Sequence, residues 1–416
     1  MAQLTTGGRV DQDQGAFAAE LAARRSAAGL SLAQLAGRVH AHRAHLQRVE
    51  TAQRWPAEPL ARLLDDALAA HGVLLAAWRA GEAARITAAT NTRAVAGSVR
   101  DSRELDAFLD TGLLNEAVTR AERAAAALAA AYLTNPPAPM LDAALIARQA
   151  VVRELRRAPA SGQRRDLTRV AGQLSGVLAY AALDLGHAHA ANAHAATALR
   201  CAATVGDLEL ASWVRGTQSL IARFSKDYRG ALALARAGLD HAGAGTSTPR
   251  LLAGVAQSAA NLGDRCETHR ALDAARTAAE KAGPDALPGL FTFSQAKLAY
   301  YGASALMWLD EPDDARRSVT NAAEAIALWQ AGDPVDRSLD DEALARVYAA
   351  TAHIKLGELD AAAAQLHPVL TLPPDRRISW LRNRVADIGQ LLTSNTFATS
   401  PTAAELREAT TAFRRG

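Results

Sequence analysis

Between His40 and Glu50 the sequence reads "HAHRAHLQRVE", with three histidines and two arginines in eleven residues. Imidazole can ligate a metal, and a guanidinium fork can hold an anion. His40, His42 and His45 stand at i, i+2 and i+5, a spacing that does not bring all three onto one helical face, so no metal site is expected there. In "HAHAANAH", His187 and His194 share a face but His189 does not, and partial exposure at the start of a helix is the expectation. The chain carries no HExxH, Walker-type phosphate loop, GxGxxG after a strand, or GxSxG. The acidic pairs Asp65/Asp66, Asp313/Asp314 and Asp340/Asp341 fall at helix starts or on faces where solvated carboxylates are expected. No catalytic group emerges, so the chain is not expected to be an enzyme or to hold a metal or other cofactor. Cys201 and Cys266 lie in no CxxC spacing and read as small buried hydrophobes. The cluster at His40–Glu50 is therefore either a solvated face or a surface for an anionic polymer. Charge favours the polymer: between Arg24 and Arg62 seven arginines stand against Glu50 and Glu58, in a chain whose net charge is only +3.

The elements that must position this cluster are helices. Alanine, the best helix former, is abundant, and strand-like alternation of β-branched and aromatic residues is almost absent, so the fold class is all-α. Leu21, Leu30, Leu32, Leu35, Ala36, Val39, Ala41, Leu46 and Val49 fall where a compact bundle needs apolar or small residues. Ser31 is the expected N-cap of a helix over Leu32–Val39, with Gln34 completing a capping box. A break at His40–His42 then starts a second helix that carries the basic residues. At 416 residues, with 49% apolar and 21% charged, the chain is long enough for two or three folded domains. It has no apolar run of membrane-spanning length, and "MAQLTTGGRVDQDQG" lacks the order of a signal peptide, so a cytoplasmic, nucleoid-associated protein without membrane contact is expected.

Over residues 14–80 these features resemble the helix-turn-helix of the lambda-repressor and Cro family, also called XRE. "LAARRSAAGLSLAQLAGRV" is similar to that family's first two helices, and "AHRAHLQRVETAQRWP" to its recognition helix and following loop. "PLARLLDDALAAHGVLLAAW" is similar to the closing helices, and Arg25 with Glu50 matches an ion pair common in the family. His40 replaces the usual turn glycine, and His42 replaces the usual Ser or Thr cap. The resemblance implies double-stranded DNA as partner. Arg43, Ala44, Gln47 and Arg48 would face base edges in the major groove, with His42 at the helix cap, and Ser31, Gln34, His45 and Arg54 nearer phosphates.

Further along, "LDLGHAHAA", "FSKDYRGA", "NLGDRCET", "WLDEPDDA" and "KLGELDAA" repeat a kink at Gly186, Lys226, Gly263, Asp310 and Gly357, in steps of 40, 37, 47 and 47 residues. In four of the five an alanine follows five positions later, and Thr268 replaces it in the third. This resembles the tetratricopeptide repeat, best at Ala350, Gly357, Ala362, Leu366 and Pro374. The expected organisation is a helix-turn-helix domain over 14–85, a linker over 86–103, a tetratricopeptide-like α-solenoid over 104–392 for sensing and dimerisation, and a C-terminal loop and helix over 393–416.

This architecture is similar to the peptide-pheromone receptors of the RRNPP group, which act in quorum sensing. The resemblance implies a homodimeric transcription regulator responding to a peptide or small-molecule effector. A repeat adaptor with a merely structural head, or an antitoxin-like autorepressor, are the alternatives. The dimer interface is expected on the repeat array or on the C-terminal helices with Ile378, Leu381, Val385, Ile388 and Leu392. By the repeat's register, residues thirteen, ten, six and three before each kink point inward. Gln173, Tyr180, Trp213, Arg223, Arg250, Gln257, Lys297, Tyr300 and Ser304 are thus the expected ligand residues, suited to an extended ligand with a negative end such as a peptide carboxylate.

Overall fold

The computed structural model describes residues 10–108, 117–157, 161–240, 242–243 and 245–415, and among them every regular element is a helix. Contacts divide the chain into two units that meet between Arg93 and Ala94. The first holds α1 (Val10–Ala27), α2 (Leu32–Arg38), α3 (Arg43–Glu50), α4 (Glu58–Ala67) and the start of α5 (Val73–Phe108). The stretch 86–103, expected to be a linker, is instead helical and lies wholly within α5. Its sequence "ITAATNTRAVAGSVRDSR" contains no proline and is rich in alanine, and a single interior glycine costs a helix only about 1 kcal/mol.

Phe17, Leu21, Leu35, Ala36, Val39, Leu46, Val49, Leu64 and Leu74 form the core of this unit. Asp65 is not solvated as expected. It is buried and accepts hydrogen bonds from the backbone N–H groups of Gly72 (2.7 Å), Leu74 (2.9 Å) and Leu75 (3.1 Å), satisfying donors that the start of α5 would otherwise leave open.

The second unit opens with α6 (Ala117–Ala131) and α7 (Pro137–Arg157). Five helical hairpins follow: α8 (Ser161–Asp184) with α9 (Ala188–Val205), α10 (Leu208–Phe224) with α11 (Tyr228–Leu239), α12 (Ser247–Asn261) with α13 (Arg265–Lys281), α14 (Gln295–Leu306) with α15 (Pro312–Ala331), and α16 (Leu339–Lys355) with α17 (Leu359–Leu370). Four of the expected kinks hold left-handed backbone, at Gly186, Lys226, Gly263 and Gly357. Asp310 is the exception, because Glu311 and Pro312 begin α15 directly. Five residues beyond each kink, Ala191, Ala231, Thr268, Ala315 and Ala362 are buried, where small side chains let the paired helices approach.

The first helices of successive hairpins pack on one another, and the array closes on itself. The Leu339 N–H donates to the Leu133 carbonyl (3.0 Å), Arg376 Nη2 to Thr134 O (2.7 Å), and Ser379 Oγ to Leu183 O (2.8 Å). The final helices, α18 (Ser379–Leu391) and α19 (Pro401–Arg415), join the same core. Ile378, Leu381, Val385, Ile388 and Leu392 are buried there with Leu406 and Phe413, so they cannot form the dimer surface expected of them. Their apolar spacing served an intramolecular partner.

A buried polar network ties α5 to the hairpins. Arg148 is fully buried; its Nε donates to Asp101 Oδ2 (2.8 Å), its Nη1 to Ser175 Oγ (3.0 Å) and its Nη2 to the Ser98 carbonyl (3.0 Å). His194, expected to be partly exposed, is fully buried here with Nε2 2.7 Å from Ser98 Oγ. Burial first, and the charge of Arg148 second, hold its imidazole well below the ordinary histidine range. Asp314 is likewise buried against Arg265 Nε (2.6 Å) rather than solvated, and Cys266 is exposed while Cys201 is buried.

Two stability predictions follow from these contacts. Asp101→Ala leaves the Arg148 charge buried without its counter-ion and should lower unfolding free energy by about 3 kcal/mol in denaturant titration. Lys226→Gly relieves a side chain from left-handed backbone (φ 60°) and should raise it by about 1 kcal/mol; a decrease would show that Lys226 makes a stabilising contact instead.

Candidate functional site

Helices α2 and α3 are set by local chemistry. Gln34 N–H donates to Ser31 Oγ (3.3 Å) and Ser31 N–H to Gln34 Oε1 (2.8 Å), closing the expected capping box. His40 adopts left-handed backbone at φ 51°, the turn geometry usually given to glycine. His42 caps α3: its Nδ1 accepts from the Ala44 N–H at 3.3 Å, so an imidazole does the work of the usual hydroxyl.

Leu46 and Val49 anchor α3 in the core, which turns Arg43, Ala44, Gln47 and Arg48 outward, all exposed. Arg25 grips the end of the helix, with Nε 2.9 Å from Glu50 Oε2 and Nη1 2.8 Å from the Leu30 carbonyl. That pairing raises the Arg25 pKa further. Ser31, Gln34, His42 and Arg54 are exposed and His45 is half-buried. The His45 pKa is lowered, first by desolvation and then by repulsion from Arg54 and Arg48, so these three side chains share one cationic surface. Arg48 Nε rests on its own helix, at 3.2 Å from the Ala44 carbonyl.

Residues 16–78 match the family model of a helix-turn-helix domain. The two helices, their turn and their exposed basic face all lie inside that span, which points to a DNA-binding regulator. No curated protein matches the chain at a significant level. Among the described residues no helix is long and apolar enough to cross a membrane, and no cluster of three or more metal-ligating side chains occurs.

The second site lies within the hairpin array. Tyr180, Arg223, Arg250, Gln257, Lys297, Tyr300 and Ser304, all expected to face inward, line one cavity that is partly open to solvent. Gln173 and Trp213 do not line it: both are buried, and Trp213 stacks on Phe291 (ring centroids 4.3 Å) beneath the Arg250 guanidinium (4.8 Å). The cavity is also not the open groove an extended peptide would need, because the cross-links from Leu339, Arg376 and Ser379 close the array around it.

Asp184, Asp340, Asp341, Tyr132, Tyr348, Trp380 and Arg384 complete the wall. They come from the turn after α6 and from α8, α16 and α18, whose approach depends on closure rather than on the register of any one hairpin. Tyr132 Oη donates to Asp184 Oδ2 (2.6 Å), and burial holds the Asp184 carboxyl well above its usual range. Ser338 Oγ donates to Asp341 Oδ2 (2.7 Å), while burial also raises Asp341. Burial pushes Asp340 up to about 7 against the opposing pull of Arg376, and pushes the Lys297 ammonium down to about 8.

These shifts set a pH dependence. Asp340, raised in the folded state, contributes stability that is fully present below its unfolded pKa and is lost as pH rises through about 7. Asp340→Asn should therefore be more stable than the parent at pH 8 and close to it at pH 4 in thermal unfolding. Equal effects at both pH values would show that Asp340 does not titrate in this range.

Proposed function

We propose that the protein is a sequence-specific DNA-binding transcription regulator whose helical array senses a small molecule. The observation that carries the DNA half is the outward face of α3, where Arg43, Ala44, Gln47 and Arg48 project from a helix held by buried Leu46 and Val49 and by the Arg25–Glu50 pair. The major groove admits such a helix and presents a distinct donor and acceptor pattern for each base pair. Arginine can take guanine bidentately, glutamine can read adenine, and Ala44 can meet a thymine methyl. His45 and Arg54, with Ser31 and Gln34 at the start of α2, would hold phosphates and set the register without specifying sequence. In this reading Arg48 exchanges its bond to the Ala44 carbonyl for a base or a phosphate.

The chain acts as a binding protein in this reading, not as an enzyme. One short helix reads too few base pairs for selectivity, so DNA binding by a homodimer on paired half-sites is part of the proposal. The buried Ile378–Leu392 residues leave the dimer surface to other parts of the molecule. A cavity lined by charged and aromatic side chains supports a small-molecule effector over a peptide, because the array closes around it.

Arg43→Ala and Arg48→Ala should each weaken binding to the protein's own promoter DNA by about 1–3 kcal/mol and relax preference at one base position. Titration at several salt concentrations separates the terms, since log affinity falls with log salt by about 0.9 per phosphate neutralised. If both variants lose equally on promoter and random DNA, base reading by α3 is wrong and only phosphate contact remains.

A further inference from the structure

Four cationic side chains enter the cavity, and three are already occupied. Arg250 donates to Trp213 O (2.6 Å), Tyr180 Oη (2.7 Å) and Thr217 Oγ1 (3.1 Å). Lys297 Nζ donates to the carbonyls of Thr292 (3.0 Å) and Gly289 (3.3 Å), and Arg384 Nη1 pairs with Asp387 Oδ2 (2.7 Å). Arg223, near the end of α10, differs. It is only 9% exposed, yet its guanidinium has no hydrogen-bond or ion-pair partner among the described residues. It lies 6.0 Å from the Trp380 ring, and Arg384 lies 5.5 Å from the same ring with its Nε buried and unbonded. A buried charge without a partner is costly, and two guanidiniums sharing one indole repel each other. One anionic group placed between them would remove both penalties and accept their N–H groups in a forked geometry.

The rest of the wall limits what carries that group. Asp184, Asp340 and Asp341 line the same cavity, and none of them pairs with Arg223 or Arg384. A second negative charge on the ligand would meet these carboxyls, whereas a hydroxyl or amine would find acceptors. The aromatic surface includes Tyr300 stacked on Tyr348, with ring centroids 5.5 Å apart, and suits a flat apolar body.

We propose that the cavity binds a small aromatic monocarboxylate, its carboxylate held by Arg223 and Arg384 and its polar far end directed toward Asp341. This gives a ligand class to the sensor proposed above and rests on that reading for its purpose.

The test uses the full chain with 4-hydroxyphenylacetate, and with tyramine and inorganic phosphate at matched concentration as comparisons. Tryptophan fluorescence and thermal unfolding read binding without DNA. The carboxylate should change the fluorescence saturably and, near saturation, raise Tm by roughly 2 °C or more, while tyramine and phosphate should do neither. Arg223→Met should weaken the carboxylate at least tenfold while leaving the ligand-free Tm equal to or above the parent's, because the unpaired charge has gone. Arg223→Lys, which keeps the charge, should retain weaker binding and covers the case in which the methionine variant does not fold. No response to the carboxylate, undiminished binding by Arg223→Met, or an equal response to phosphate or tyramine would each overturn the site. Promoter affinity measured with and without bound carboxylate then addresses the sensor separately: an unchanged affinity removes the regulatory reading and leaves the binding site standing.

Discussion

The hairpin array depends on one recurring backbone device, a left-handed residue that stops the first helix of four of its five hairpins and turns the chain back. At Gly186, Lys226, Gly263 and Gly357 the next N–H reaches the carbonyl five residues earlier, as in His187 N–H to Ala182 O (2.8 Å) and Glu358 N–H to His353 O (2.9 Å). This bond satisfies a carbonyl that a helix end would leave open and fixes the direction in which the second helix departs. Repeating it stands the first helices side by side, so side chains at fixed distances before each turn share one interior. The lysine at Lys226 shows that the geometry, not the glycine, is what the array requires.

Close packing of small residues lets that interior hold charge. Gly216 leaves room for Arg250, whose Nη1 would lie 2.7 Å from a Cβ at that position. Three buried arginines then meet three different fates. Arg148 is matched by Asp101, Arg250 is spread over neutral oxygens and an indole face, and Arg223 has the Trp380 ring at 6.0 Å but no hydrogen bond or counter-ion among the described residues. The first two arrangements read as structural, because their guanidiniums find acceptors within the unit. The third stores an unmet interaction in a cavity, which is how a binding site differs physically from a satisfied core.

The N-terminal domain divides its residues in another way. Phe17, Leu21, Leu35, Leu46 and Val49 are buried, the capping box sets the start of α2, and the Arg25–Glu50 pair fixes α3 to α1. None of the exposed residues of α3 is needed for that core. The outward face is therefore free to carry a cationic pattern.

The sequence by itself determined what is local: the helical class, the capping box at Ser31, the turn at His40, the Arg25–Glu50 pair, four of the five left-handed kinks, and the inward register of Tyr180, Arg223, Arg250, Gln257, Lys297, Tyr300 and Ser304. Apart from the Arg25–Glu50 pair, which the family resemblance implied, each depends on residues within one or two turns or on a short repeating unit. Tertiary structure decided what depends on distant partners. Asp65, Asp314 and His194 look solvated in sequence because nothing nearby says that Gly72, Arg265 or Ser98 will cover them. Ile378 to Leu392 look like an interface because an amphipathic face does not name its partner, and α19 supplies it from the same chain. Residues 86–103 look like a linker because alanine, threonine and asparagine suit either state, and α5 runs through them. Asp184, Asp340, Trp380 and Arg384 reach one cavity only because bonds spanning up to 242 residues, Arg376 to Thr134 among them, draw the ends of the array together. No periodicity encodes a contact at that separation, since it is formed by the sum of small rotations between successive helices.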